Sequence, residues 1–255
     1  MKSRYALSIF LAVVFLGGGQ KLFAQMAMKL DKADVLLTTT DAINTAMDVT
    51  LQNIANFKTT GFKKQRVHLQ DGRVVDTSRV WQQGRLLNTN IPLDLVINGD
   101  GFFRILQPNG DLAYTRNGSM HLDNDGNMVT VNGEMLDPQI CLPRDQTSVT
   151  ISSDGTVEVL QSGETQPQQV GRIELAYFQN PSGLKAVGST LFVETPASGQ
   201  PVVTPPGENG AGKIMQGFLE DSNVEILEEL THLRKLQSWK NGVDQALMTI
   251  QEGQR

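Results

Sequence analysis

Residues 93–106, Leu-Asp-Leu-Val-Ile-Asn-Gly-Asp-Gly-Phe-Phe-Arg-Ile-Leu, decide how the middle of this chain reads. Two short β-prone runs, 93–98 and 102–106, flank the dipeptide Asn98-Gly99. Asn-Gly and Asp-Gly between short runs signal hairpins, because both residues tolerate the positive φ of a tight turn. The same pattern continues outward. Runs at 128–131, 149–151, 157–160 and 173–178 are punctuated by Asn109-Gly110, Asn117-Gly118, Asp125-Gly126, Asn132-Gly133 and Asp154-Gly155. Residues 70–212 are therefore expected to form a β-rich body of hairpins, with the Gly/Pro-rich stretch 198–212 as a linker to the C-terminal segment.

Helical periodicity takes over on both sides. From Asp31 to about Phe57, Leu36, Ile43, Met47 and Ile54 recur at near-heptad spacing, with Ala42, Ala46 and Ala55 beside them. Thr40 and Thr50 weaken that seam. Gly61 is expected to end the segment, and Lys58, Lys63, Lys64 and Arg66 flank its end, where cations suit the helix dipole. From Asn223 to Ile250 a second stripe runs through Ile226, Leu230, Leu233, Leu236, Val243, Leu247 and Ile250. Asp221-Ser222-Asn223 supplies N-cap candidates, and Gly242 is a weak point inside this helix. Neither helix has an evident partner in the β body. Each stripe is expected to pack on the other, in a coiled-coil-like layer, or on another chain. The fold class is mainly β with α: a hairpin body bracketed by amphipathic helices. Its parts are a leader at 1–25, helical assembly segments at 26–69 and 213–255, and the β domain at 70–212.

The chain of 255 residues is 39% hydrophobic and 6% aromatic, carries 24 glycines, and has a net charge of −5. No basic stripe supports nucleic-acid binding. Cys141 stands alone, so an internal disulfide is excluded. At the N-terminus, Lys2 and Arg4 precede an apolar run at 6–16, and Leu22-Phe23-Ala24 offers a small-residue cleavage site. This is the layout of a secretory signal peptide. The alternatives are a retained anchor and an upstream extension that is not normally translated, since Met26 and Met28 are both candidate starts.

Residues 51–64, Leu-Gln-Asn-Ile-Ala-Asn-Phe-Lys-Thr-Thr-Gly-Phe-Lys-Lys, resemble the N-terminal signature of the flagellar rod and hook protein family. Residues 95–103, 114–119 and 123–133 resemble that family's central hairpins. Asn209-Gly210-Ala211-Gly212 and then residues 216–224, Gln-Gly-Phe-Leu-Glu-Asp-Ser-Asn-Val, resemble the lead-in to its C-terminal helix. The blocks occur in family order, and their length is most like the distal rod branch. The alternatives are a proximal rod member or a periplasmic binding-module paralogue.

The resemblance implies a structural subunit of the basal-body rod, a periplasm-spanning tubular shaft that transmits torque to the hook. Expected partners are further copies in a helical polymer, other rod proteins, the hook protein and surrounding ring proteins. Neither nucleic acid nor a small-molecule substrate is expected. The assembly residues it points to are Leu36, Ile43, Met47, Asn53, Ile54, Ala55, Asn56, Gly61, Phe62, Gln216, Gly217, Ser222, Asn223, Val224, Ile226, Leu230, Leu233, Leu247 and Ile250. Asn56 and Gly61 tolerate left-handed backbone, and Phe62 can pin the turn to the helix base. Three features depart from the family pattern: residues 1–25 are surplus, the segment from 66 to 91 is short, and the last helix lacks an Arg-Ala-Tyr-Glu-like stretch.

Reactive constellations are missing from the sequence. His68, His121 and His232 are scattered, and His232 reads as solvated. Asp123-Asn124-Asp125-Gly126-Asn127 resembles a calcium loop but lacks suitable first and last ligands, so it reads as a hairpin. No dinucleotide or phosphate loop and no nucleophile elbow is present. The expectation is a non-enzyme without cofactor or metal.

Overall fold

Two helices, α1 (Gly19–Ala55) and α2 (Ile226–Glu252), bracket a long series of short strands in the computed structural model, which describes residues 19–252. The leader-like run at 6–16 lies outside the described residues. α1 starts upstream of the expected Asp31, and α2 starts three residues beyond the expected Asn223. No helix among the described residues is long and apolar enough to cross a membrane.

The chain divides into two compact units. The first holds residues 19–50, 67–77 and 231–252. Its core is Ile43, Ala46 and Leu236, with Met47, Val67, Leu69 and Val243 packed around them. Val67 and Leu69 come from the hairpin Gln65–Gln70 / Arg73–Arg79, where alternate residues point to one face. The helices pack on each other as expected, and Val67 and Leu69, on a strand inside the segment 26–69 that was expected to be helical, add a further partner. Two apolar residues in alternation are too few to stand out as a strand signal. Thr50 is buried on this face. Its Oγ1 donates to Ala46 O at 2.8 Å and lies 3.2 Å from His232 Nδ1, so His232 is engaged rather than merely solvated. A hydroxyl on the seam is tolerated because both of its hydrogen-bonding roles are filled locally.

The second unit holds residues 51–66 and 78–230. Its largest sheet has nine strands. The main path runs Lys185–Gly188, Leu191–Val193, Leu112–Thr115, Phe102–Leu106, Met135–Asp137, Met128–Thr130 and Met120–Leu122. A three-stranded sheet, Gln146–Ile151, Thr156–Gln161 and Gln168–Arg172, stands beside it. Two paired ribbons complete the body: Leu95–Asn98 with Lys213–Gln216, and Leu86–Asn88 with Phe218–Glu220. Leu95, Ile97, Phe103, Ile105, Met128 and Leu136 form the middle of its core. A second cluster packs its rings edge to face, Trp81 on Phe102 and Phe192, and Phe178 on Phe102 and Tyr114.

Two expectations are corrected here. Residues 198–212 are no linker: Val202–Thr204 pairs with Leu175–Tyr177, and Ser198, Thr204 and Ala211 are buried. Proline and glycine there shape turns between short pairings, which composition alone cannot distinguish from a flexible connector. Residues 213–220, assigned to the C-terminal helical segment, are mostly strand.

The hairpin signals mostly hold their turns. Gly99, Gly110, Gly126, Gly133 and Gly155 all have positive φ, whereas Gly118 does not. Gly118 serves close approach instead. A Cβ there would sit 1.9 Å from Leu95 O and 2.9 Å from the Phe103 ring. Gly118→Ala is accordingly expected to destabilise the body by roughly 1–3 kcal/mol or more. At 2–4 °C per kcal/mol for a domain of this size, its melting temperature should fall by about 2–12 °C. Calorimetry of the variant against wild type measures this.

Candidate assembly junction

The last turn of α1, the chain that leaves it, and the first turn of α2 meet within the second unit. Asn53, on α1, is fully buried. Its amide acts as a strand partner for a residue twelve positions on: Nδ2 donates to Gln65 O and Oδ1 accepts from Gln65 N, both at 2.9 Å. Nδ2 also donates to Glu229 Oε2 at 3.1 Å, and Glu229, buried on α2, accepts from Arg66 Nη1. One amide and one ion pair thus lock the two helix ends and the strand between them.

Asn56 ends α1 without entering left-handed backbone. Its Nδ2 donates to Gln52 O at 2.8 Å, and its Oδ1 accepts from Thr59 Oγ1 at 3.1 Å. The side chain caps the last turn, which removes the need for a positive φ. Gly61 does take the left-handed conformation, with φ of 68°, and a Cβ there would lie 2.5 Å from Asn117 N. Its own N–H donates to Glu220 O at 2.8 Å. Phe62 is half-buried, and its carbonyl accepts from Asn223 N at 3.4 Å.

Next comes a buried ion cluster. Lys63, Glu220 and Arg116 are 1, 1 and 4% exposed. Lys63 Nζ donates to Glu220 Oε1 at 2.5 Å, to Gln82 O at 2.9 Å and to Trp81 O at 3.4 Å. Glu220 Oε1 also accepts from Gly84 N at 3.0 Å. Arg116 donates to Glu220 Oε2 through Nε at 2.9 Å, and its Nη2 lies 2.7 Å from the same oxygen in an ion pair. Its remaining donors reach Ile97 O, Gly99 O and Gly101 O at 2.9, 2.8 and 2.7 Å.

Arg116 donates four hydrogen bonds and Lys63 three, and Glu220 accepts three, so each buried charge is partnered, as burial requires. Burial pulls Lys63 below its ordinary 10.5 against the attraction of Glu220. Burial pushes the Glu220 carboxyl up, but Arg116 and then Lys63 outweigh it and hold it below its ordinary 4.5. The cluster is a clamp between distant segments.

Lys63 and Arg66 were expected to face the helix dipole. They point instead to Glu220 and Glu229, because a fixed carboxylate at hydrogen-bond distance outweighs a diffuse partial charge. Asn223 is no N-cap either. Its Oδ1 accepts from Lys64 N at 2.7 Å, and its Nδ2 donates to Val80 O and Gln82 O at 2.7 and 2.9 Å.

The other sequence-selected residues fall into place around this frame. Gln216 bridges Pro92 O, Val149 O and Ile151 N. Gly217 has φ of 77° and donates to Asp94 O at 2.7 Å. Ser222 and Val224 are buried, while Ile54 and Ile226 are half-buried and Ala55 is exposed. Leu230 is 42% exposed and so packs little within the chain. In the first unit Ile43 is core and Met47 packs on it, whereas Leu36, Leu233, Leu247 and Ile250 are half-buried. Lys63 as an ion partner, together with Arg116, Glu220 and Glu229, was missed. Separations of 157 residues for Lys63–Glu220 and 104 for Arg116–Glu220 leave no local pattern to find. Among the described residues no group of three or more His, Cys, Asp or Glu could hold a metal ion.

Residues 96–159, which span the central hairpins, match the model of the flagellar hook protein FlgE/F/G D1 domain. That sets the class: a component of the flagellar hook and rod. The chain is 37% identical over 225 residues to the flagellar basal-body rod protein FlgG of Buchnera aphidicola subsp. Acyrthosiphon pisum, covering 77% of this chain and 86% of that protein. It is 39% identical over 216 residues to FlgG of Caulobacter vibrioides, covering 73% and 82%. Identity to the basal-body rod protein FlgF of Caulobacter vibrioides is 34% over 212 residues, covering 75% and 81%. The chain belongs to the flagellar basal-body rod protein family, and within it to the FlgG type. It is a structural protein of the flagellar basal body.

Glu220→Gln leaves Lys63 and Arg116 buried without a countercharge and is expected to cost about 3–5 kcal/mol. Because the folded Glu220 binds its proton more weakly than the unfolded chain does, its contribution is complete above about pH 4.5 and is lost as pH falls through the depressed folded value. Lys63, also depressed, adds stability as pH rises from its lowered value toward 10.5, where the unfolded chain holds more protons. Urea unfolding at stepped pH should show the acid loss in wild type, and a weaker pH slope below 4.5 in Glu220→Gln.

Proposed function

We propose that this chain polymerises into the distal part of the rod, a tubular shaft that carries torque to the hook, and catalyses nothing. The observation that carries this reading is the distribution of apolar surface on the helices. α1 and α2 bury only narrow faces within their own chain, while Val35, Leu37, Leu51, Leu230, Trp239 and Met248 are between 42 and 62% exposed. Large side chains left out along both terminal helices suit burial against neighbouring subunits. Subunits would stack helically with the paired termini lining the channel and the β bodies forming the wall. Contacts between unlike surfaces, which do not close on themselves, generate such a filament.

In this reading Leu36, Ile43, Met47 and Ile54 of α1, with Ile226, Leu230, Leu233, Leu247 and Ile250 of α2, form the inner layer. Asn53, Ala55, Asn56, Gly61 and Phe62 set the exit of α1. Gln216, Gly217, Ser222, Asn223 and Val224 set the approach to α2. Other rod proteins and the hook protein would adjoin the two ends of the polymer, and ring proteins would surround it. The similarity to FlgF keeps a proximal position as the second reading.

Mass spectrometry of purified hook–basal bodies tests the proposal: the chain should be present in multiple copies. Ile54→Asp or Leu233→Asp should remove it from those particles while the β body still melts cooperatively. Normal motility in cells carrying only such a variant would sink the inner-layer assignment.

A further inference from the structure

The first unit carries an open groove between α1 and its hairpin, lined by Val35, Thr38, Gln70, Val74 and Val75, with Asp71 and Arg73 at the rim. Val35, Val74 and Val75 are 48, 39 and 62% exposed, so its floor is apolar and uncovered. Along the α1 side the charge is predominantly negative. Asp31 lies one helical turn before Val35, Asp34 one turn before Thr38, and both are exposed. Asp41 and Asp48 continue from Asp34 at intervals of seven, on the side away from Ile43. Lys32 is the one cation of α1 from residue 31 to 55, against these four aspartates.

α2 of the same unit presents the complement. Trp239 is 62% exposed, one turn after exposed Lys235, and exposed Arg234 lies two residues before the core residue Leu236, hence on the outward side. An exposed tryptophan one turn from Lys235, on a helix that also exposes Arg234, has the composition of an interface anchor, since aromatic and arginine side chains dominate hot spots.

We infer that the groove of one copy receives the Trp239 face of α2 from a second copy, with Trp239 over Val35, Val74 and Val75 and with Arg234 and Lys235 against Asp31 and Asp34. This rests on the rod-polymer reading and names one of its contacts. The occupant is a second copy because both halves of the charge match lie on this chain. The two surfaces are distinct, so the contact is heterologous, and each subunit keeps one open groove and one open Trp239 face for further addition.

Charge reversal in full-length protein, expressed as the sole copy in cells, tests the contact through the amount recovered in purified hook–basal bodies. Asp31→Lys with Asp34→Lys, and separately Arg234→Glu with Lys235→Glu, should each lower incorporation about tenfold or more, because like charges then face each other across the contact. All four changes in one chain should restore it, which also shows that the altered helices fold. Wild-type incorporation of either double variant overturns the contact while leaving the polymer reading intact. Depletion that the fourfold variant does not restore overturns a second copy as the occupant. Absence of the wild-type chain from the particles defeats the polymer reading, and this contact with it.

Discussion

Glu220 is the residue on which the organisation of the second unit turns. Its two oxygens hold Lys63 from the chain leaving α1, Gly84 from the approach to the strand Leu86–Asn88, and Arg116 from just after the strand Leu112–Thr115. Through Arg116 the same carboxylate reaches the carbonyls of Ile97, Gly99 and Gly101, and its own backbone carbonyl accepts from Gly61. Breaking such a buried set is costly because each orphaned charge has lost its water. Its geometry is directional in a way that an apolar contact is not, so it fixes the register among segments far apart in the chain.

The strands around this clamp are short, many only three or four residues, and no single ladder is long enough to define the body. Close backbone approach supplies the missing precision. Gly61 against Asn117 and Gly118 against Leu95 leave no room for a Cβ, so the exit from α1 and the central sheet touch main chain to main chain. Asparagine side chains fill the remaining gaps. Asn53 substitutes for a strand at Gln65, and Asn223 ties Lys64 to Val80 and Gln82. Both amides are satisfied on donor and acceptor sides, which makes them structural pins and explains how so many polar groups can be buried at the junction.

The two terminal helices play a different part. Their shared core in the first unit is small, centred on Ile43, Ala46 and Leu236 with help from a hairpin, and much apolar surface is left outside it. An arrangement of this kind is marginal for an isolated subunit and favourable in a polymer, where neighbours cover what one chain cannot. Membership of the basal-body rod family and this surplus of exposed apolar surface therefore point the same way.

The sequence by itself determined the class of the fold: two helical periodicities outside a series of short runs punctuated by Asn-Gly and Asp-Gly. These signals are local, since a turn dipeptide or a heptad is read within a few residues, and most of the turn glycines do adopt positive φ. The motif around Asn53, Asn56, Gly61 and Phe62 was legible as a junction for the same reason. Tertiary structure alone decided how the junction is held. Lys63 could have served the helix dipole, Asn223 could have capped α2, and residues 198–212 could have been a linker. Each was settled by a partner distant in sequence, up to 159 residues away. Pairings at that range depend on where the whole body places a carboxylate or an edge strand, and no local spacing encodes it.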